Sequence, residues 1–169
     1  MNDLISRVRD GDAEAFITLI EDRKSDMYKI AFSILHNDAN AADAISETVL
    51  KCWREIGKLR KTKYFKTWLT RILINSCNDI VRKNKRVIYV DSYESIEPAD
   101  ESEINSEEIS ECLNGLSENY RLIMLLYYAQ GFKVWEIAQM LNLNENTVKT
   151  RLSRARKQFR EIYSEGVAL

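Results

Sequence analysis

Apolar residues in the first half of the chain recur at helical spacing, with no sustained two-residue alternation. Asp12 can cap a helix beginning at Ala13, and Phe16, Leu19 and Ile20 lead on to Tyr28, Ile30, Ala31, Ile34 and Leu35. Asn37-Asp38 closes that run. A second helix from near Asp38 places Ala42, Ile45, Val49, Cys52 or Trp53, and Ile56 on one face, and it ends at Gly57. Lys58 to Tyr64 reads as a polar, basic connection. A third helix then runs from about Phe65 to Arg86, with Phe65, Leu69, Ile72, Ser76 and Ile80 as its inward stripe. The spacing predicts an N-terminal bundle of three or four helices, large enough for a modest core.

The pattern lapses over residues 91 to 103, where isolated apolar residues alternate with acids around Pro98. Too little apolar surface is present there to offset the entropy of ordering, so the segment reads as a flexible linker. Periodicity returns with Ile109, Cys112, Leu113 and Leu116, and Ser117 can cap a helix covering Tyr120 to Gln130. Gly131 breaks the chain, Val134 to Leu141 forms a further helix, Asn142-Leu143-Asn144 a tight turn, and Glu145 to about Tyr163 the last helix. The fold class is all-α: two small helical domains, 1–90 and 107–169, joined by an acidic linker over 91–106. The halves show no internal repeat.

Composition adds exclusions. Five glycines and a single proline in 169 residues do not suit a turn-dense all-β fold. The longest apolar stretch, Leu122 to Ala129, is far short of the roughly 20 residues that span a bilayer, and the N-terminus lacks a secretory pattern, so no membrane insertion is expected. Cys52, Cys77 and Cys112 are odd in number and widely spaced, which suggests neither a disulfide framework nor a metal cluster and fits a reducing cytoplasm. His36 sits at a predicted helix end, a favourable place for a structural or partly charged imidazole, with no ligand-spaced partners. Glycine-rich phosphate loops and nucleophile elbows are absent from the sequence, so no catalytic residue, metal or cofactor is expected and an enzyme reading is disfavoured.

The formal net charge of −1 conceals segregation. Residues 51 to 89 carry twelve Lys or Arg against Glu55 and Asp79, residues 91 to 111 hold nine acids and no Lys or Arg, and residues 132 to 160 return to seven bases against Glu136 and Glu145. Because Lys and Arg neutralise phosphates, two separated basic blocks suit two contacts with one polyanion; solvated helix faces would also account for the charge alone.

The run from Val134 to Arg151 narrows the choice. Ala138 is small enough for a close helix crossing, Ile137, Leu141, Leu143 and Val148 fill it, and Asn142 tolerates the left-handed backbone such a turn needs, which together make a helix-turn-helix pattern. Val148, Leu152, Ala155 and Phe159 form the inward stripe of the second helix. Asn146, Lys149, Thr150, Ser153, Arg154 and Lys157 share the outward face, a set of donors suited to base edges and phosphates in a major groove. Lys149, Thr150, Ser153 and Arg154 are expected closest to bases.

These residues resemble a known family. Thr147 to Lys157 resembles the promoter-reading helix of bacterial RNA polymerase sigma factors of the sigma-70 family, extracytoplasmic-function (group IV) class, and Leu116 to Arg121 resembles the lead into that domain. Gly11 to Phe16, Ala42 to Trp53, and Phe65 to Ile72 with Asn75, Asp79 and Arg82 look like the first sigma domain in order and spacing. The resemblance implies that Asn146, Lys149, Thr150, Arg151, Ser153, Arg154 and Lys157 contact the minus-thirty-five element. It assigns Lys58, Arg60, Lys61, Lys63, Tyr64, Arg71, Arg82, Lys83 and Arg86 to the minus-ten loop and helix, where a base is flipped out and captured. Asp43, Ser46, Glu47, Leu50, Lys51 and Arg54 would dock on the clamp helices of the polymerase largest subunit, with Ser46 standing where the family often has Gln. Trp68 is expected to pack on the core side.

As further implications, the partners are core RNA polymerase, at clamp helices and flap, promoter DNA as duplex and melted strand, and an anti-sigma factor, often membrane-anchored, that answers an envelope or other external stress. The acidic linker would thread polymerase channels as a mimic of nucleic acid. The alternative is a stand-alone helix-turn-helix regulator whose N-terminal bundle dimerises or senses a ligand; such a protein binds duplex tightly by itself, often as a symmetric dimer. A signalling adaptor with basic helices explains neither the helix-turn-helix nor the basic loop.

Overall fold

The structure, a computed structural model, describes residues 2–86 and 106–166. The acidic linker expected over 91–106 lies, apart from Ser106, outside the described residues. The N-terminal half contains α1 (Asn2–Arg9), α2 (Ala13–Glu21), α3 (Lys24–Leu35), α4 (Asp38–Glu55) and α5 (Phe65–Arg86), with short 3-10 turns at Ile56–Lys58 and Thr62–Tyr64. The C-terminal half contains α6 (Ser106–Asn114), α7 (Glu118–Met124), α8 (Val134–Leu141) and α9 (Glu145–Gly166). No strand occurs among the described residues.

Asp12 caps α2 as expected, its side chain accepting the Ala15 N–H at 3.0 Å, and Arg7 pairs with the same carboxylate at 2.7 Å. The single helix expected from Ala13 to Leu35 is two helices, broken at Asp22-Arg23, where the Arg23 N–H turns back to the Ile20 carbonyl at 2.8 Å. Leu19 and Met27 are both buried on either side of the break, so the apolar pattern returns in phase and spacing alone does not reveal it. A further helix, α1, buries Ile5 and Val8 and was not anticipated.

The inward face of α4 is rotated from the expected one. Ala41, Ala44, Thr48 and Cys52 are buried, Ile45 and Val49 half-buried, and Ala42 exposed. Small side chains let α4 lie close to α3 and α5, which the larger apolar residues would not. In α5, Phe65, Leu69 and Ser76 are buried as expected, and Leu73, Ile74 and Cys77 widen the stripe.

In the C-terminal half the helix expected to reach Gln130 changes pitch. A π turn covers Leu125–Ala129, the Gln130 N–H bonds the Leu125 carbonyl at 2.9 Å, and Gly131 takes φ +69° to let the chain reverse. Ser117 precedes α7 without a side-chain capping bond. Ile109 is 41% exposed, whereas Cys112 and Leu116 are buried.

The two halves pack on each other: α3 meets α7 and α5 meets α8. One continuous apolar core includes Ile30, Phe65 and Leu73 from the first half and Ile123, Phe132, Ile137 and Met140 from the second. No helix among the described residues is long and apolar enough to cross a membrane.

Candidate nucleic-acid interface

The turn between α8 and α9 is built as the sequence requires. Asn142 adopts the left-handed conformation (φ 53°, ψ 46°), the Leu143 N–H returns to the Ala138 carbonyl at 2.9 Å, and Asn144 Oδ1 accepts the Thr147 N–H at 2.7 Å to cap α9. Ile137, Ala138, Val148, Leu152 and Ala155 are buried at the crossing, while Phe159 is half-buried. Asn146, Lys149, Thr150, Ser153, Arg154 and Lys157 are all exposed, giving a continuous polar and cationic face. Lys157 is 3.8 Å from Glu161, and Lys149 and Arg154 make no ion pair among the described residues. Arg151 is half-buried, at the edge of that face.

A second basic surface surrounds the turns that precede α5. Lys58, Arg60, Lys61 and Lys63 are exposed, Lys58 lies 3.9 Å from Glu55, and the Lys63 ammonium is 4.9 Å from the Tyr64 ring centroid. Leu59 anchors the loop from inside, its carbonyl accepting from Arg9. Arg60, Lys61, Tyr64, Trp68 and Arg71 line a cleft of about 430 Å³ whose far wall is Trp135. Trp68 is half-buried, packed against the core as expected while also lining this cleft. Further along α5, Arg82 pairs with Asp79 at 3.2 Å and Lys83 is exposed; Arg86 ends the helix.

The α4 face carries the third group. Asp43, Ser46, Glu47, Leu50 and Arg54 line it, all exposed, Leu50 by 58%, and half-buried Lys51 reaches Glu47 at 3.4 Å and Ser76 Oγ at 3.3 Å. Trp53, 42% exposed and edge-on to Phe16 at 4.9 Å, sits beside Leu50 on the helix surface. The sequence left Cys52 and Trp53 as alternatives for the core, and it is Cys52 that is buried.

Burial pushes the Cys52 and Cys77 thiols up to about 12, and all three cysteines are free and buried. His36 caps α3 in the left-handed conformation, φ 48°. Burial, then the nearby Arg121 charge, lower its pKa below the ordinary imidazole value while Glu118 raises it, so the site disfavours the charged form that a helix end alone would favour. Among the described residues no cluster of three His, Cys, Asp or Glu is placed to hold a metal ion.

Residues 19–87 match the family Sigma-70 region 2, and residues 106–159 match Sigma-70, region 4. The RNA polymerase sigma factor SigV of Bacillus subtilis (strain 168) is 33% identical over 146 residues, covering 85% of this chain and 88% of its own length. The ECF RNA polymerase sigma factor SigM of the same organism is 30% identical over 150 residues, 85% of this chain and 91% of its own.

The chain belongs to the sigma-70 family.

Among solved structures, the sigma factor RpoE in complex with the anti-sigma factor NepR from Bartonella quintana is similar at a TM-score of 0.75 with 25% identity, covering 90% of this chain and 98% of that one. CnrH, in complex with the cytosolic domain of CnrY, shares the fold at a TM-score of 0.69 and 20% identity, over 96% of each chain. The protein is an extracytoplasmic-function sigma factor, which directs core RNA polymerase to promoters to initiate transcription. Region 2 of the sigma factor spans α3, α4 and α5 and region 4 contains the helix-turn-helix. The sequence did not single out Lys66, Thr67, Gln130 or Trp135, which join the two regions; these contacts link positions far apart in the chain, and spacing carries no signal for them.

Proposed function

We propose that this sigma factor reads the minus-thirty-five element with Asn146, Lys149, Thr150, Arg151, Ser153, Arg154 and Lys157 on α9. It captures the minus-ten element with Lys58, Arg60, Lys61, Lys63, Tyr64 and Arg71 around the loop, helped by Arg82, Lys83 and Arg86 on α5. The observation that carries this reading is the exposed donor face of α9 directly after a capped left-handed turn at Asn142, an arrangement suited to placing a helix in a major groove. Tyr64 and Trp68 offer aromatic surface to an unstacked base, and the surrounding cations suit its phosphates. Asp43, Ser46, Glu47, Leu50, Lys51 and Arg54 form the polymerase-docking face, where exposed Leu50 supplies apolar area among charges.

The domain limits are 1–90 and 107–169, with 91–106 as connector. The protein acts in the cytoplasm as a non-enzymatic subunit and is held inactive by an anti-sigma factor, a reading supported by its likeness to RpoE, which forms a complex with the anti-sigma factor NepR. Run-off transcription on a mixed promoter library with purified core polymerase tests the reading. Promoter-specific initiation that requires both components is the expected result; tight duplex binding by the protein alone, without initiation, would establish the stand-alone regulator instead.

A further inference from the structure

The helix α1 (Asn2–Arg9) lies outside residues 19–87 matched to region 2, and the cleft lined by Arg60, Lys61, Tyr64, Trp68 and Arg71 takes no residue from it. It packs instead on both 3-10 turns that bound the basic loop. Ile5 and Val8 bury its apolar face in the core that also takes Ile56 and Leu59. The reversal into α2 fixes the end of the helix: Gly11 takes φ +90°, where a side chain would be strained, and Arg7 pairs with Asp12 across the turn at 2.7 Å.

Two polar contacts tie the loop to α1, one at each end of the helix. The Thr62 hydroxyl donates to Asn2 Oδ1 at 2.8 Å, and the Arg9 guanidinium donates to the Leu59 carbonyl. Asn2 and Arg9 are about 10 Å apart along the helix at about 1.5 Å per residue. The three steps from Leu59 to Thr62 span at most about 10–11 Å. The lengths match, so the segment 59–62 runs antiparallel to α1 with little slack. Its backbone agrees: Leu59 has ψ 103°, and Lys61 has φ −126° and ψ 110°, both extended. Because Arg9 bonds a main-chain carbonyl, it fixes the path of the loop and not one side chain. With Leu59 buried and the segment stretched, Arg60 and Lys61 are both left exposed at the cleft.

Fixing backbone dihedrals costs conformational entropy, and a loop already held extended loses less of it when nucleic acid arrives. We propose that Asn2 and Arg9 are positioning residues for capture of the minus-ten element: from α1 they hold 59–62 extended, so that Arg60, Lys61 and Tyr64 face a melted strand, and they touch no nucleic acid themselves. This role rests on the minus-ten reading above; the hold of α1 on the loop does not.

The test uses the full chain assembled with core polymerase and a forked minus-ten DNA with a single-stranded end. Asn2→Ala should weaken fork binding about threefold and Arg9→Met about tenfold, the scale of a neutral and of a charge-assisted hydrogen bond. Neither should change the slope of log affinity against log salt, because no phosphate contact is lost. Exposed Ser6→Ala on the same helix should bind as wild type. Thr62→Val should add nothing to Asn2→Ala, since each removes the same bond. A slope shallower by about 0.7–0.9 in Arg9→Met would make Arg9 a phosphate contact. That result, additive losses for Asn2→Ala and Thr62→Val, or wild-type fork affinity in both Asn2→Ala and Arg9→Met would overturn the positioning role.

Limited trypsin digestion of the free chain reads the hold without DNA. Cleavage after Arg60 and Lys61 should be about fivefold faster in Arg9→Met than in wild type, following the population of detached loop. Unchanged cleavage would show that α1 does not hold the loop. Faster cleavage together with wild-type fork affinity in Lys61→Ala would instead remove the minus-ten reading, and the positioning role with it, while the hold of α1 stands.

Discussion

Arg154 and Arg156, two positions apart on α9, serve opposite sides of the helix. Arg154 is exposed on the face with Lys149, Thr150 and Ser153, whereas half-buried Arg156 lies 5.8 Å and 5.7 Å from the ring centroids of Tyr127 and Tyr128. Arg154→Ala should cost about 1–3 kcal/mol at one promoter position and relax preference there, as loss of a base contact does. Arg156→Ala should leave sequence preference intact and lower folding stability by about 0.5–1 kcal/mol, the scale of a cation–π contact. Promoter-library transcription and denaturant melts of both variants separate the two roles; an equal loss at every promoter on Arg154→Ala would make Arg154 a phosphate contact.

The turn at Asn142 makes a backbone prediction. With φ at 53°, a β-branched residue there meets steric strain that Asn and Gly avoid. Asn142→Val should destabilise the protein by about 1–2 kcal/mol, and Asn142→Gly should be close to neutral. Denaturant midpoints of the two variants check this, and equal midpoints would remove backbone strain as the reason for Asn at this position.

On α4 the contrast lies between fold and docking. Leu50 is exposed in the free chain, so Leu50→Glu should melt like wild type. If polymerase covers it, the same change should weaken core binding by about 1.5–3 kcal/mol, the value of burying a leucine side chain. Titration of labelled sigma factor with core polymerase measures the loss, and wild-type affinity would move the docking face off Leu50.

His36 predicts a pH response. Its pKa is lowered in the folded chain by burial and then by Arg121, against an opposing effect of Glu118. The folded state therefore binds fewer protons than the unfolded one near the imidazole range. This contribution to stability is present above the unfolded pKa of about 6.5 and is lost as pH falls below it through the folded value. Denaturant unfolding at successive pH values from about 7.5 downward should show a loss that His36→Asn, which also tolerates the left-handed backbone, lacks. An equal pH slope in wild type and His36→Asn would refute it.

How far the sequence was legible depended on whether a signal was local. Asp12 as a cap, Gly131 as a breaker and Asn142 in a left-handed turn each follow from one residue's backbone chemistry, and all three stand as expected. The helix breaks at Asp22-Arg23 and at the π turn after Met124 were hidden, because apolar residues resume in phase after the first and run on without interruption through the second. The α4 face was misjudged by one position because alanines on adjacent positions give periodicity little contrast: Ala41 is buried and Ala42 exposed. For the candidate site, the cations and donors were readable as types at helical spacing, but Trp135 was read only as part of a helix-turn-helix. Its place against Tyr64 is set by packing between regions 71 positions apart in sequence, beyond the reach of any local pattern.

Lys66 gives the contact between the two regions an ionic consequence. Held against the Gln130 carbonyl and the Phe132 ring, its ammonium is withheld from the counterion atmosphere of any nucleic acid nearby. Were that contact broken, the charge would return to the start of α5, and each additional phosphate neutralised on a single strand steepens the logarithmic salt dependence of binding by about 0.7. A chain in which that contact is broken thus becomes more sensitive to ionic strength as well as more adhesive toward nucleic acid.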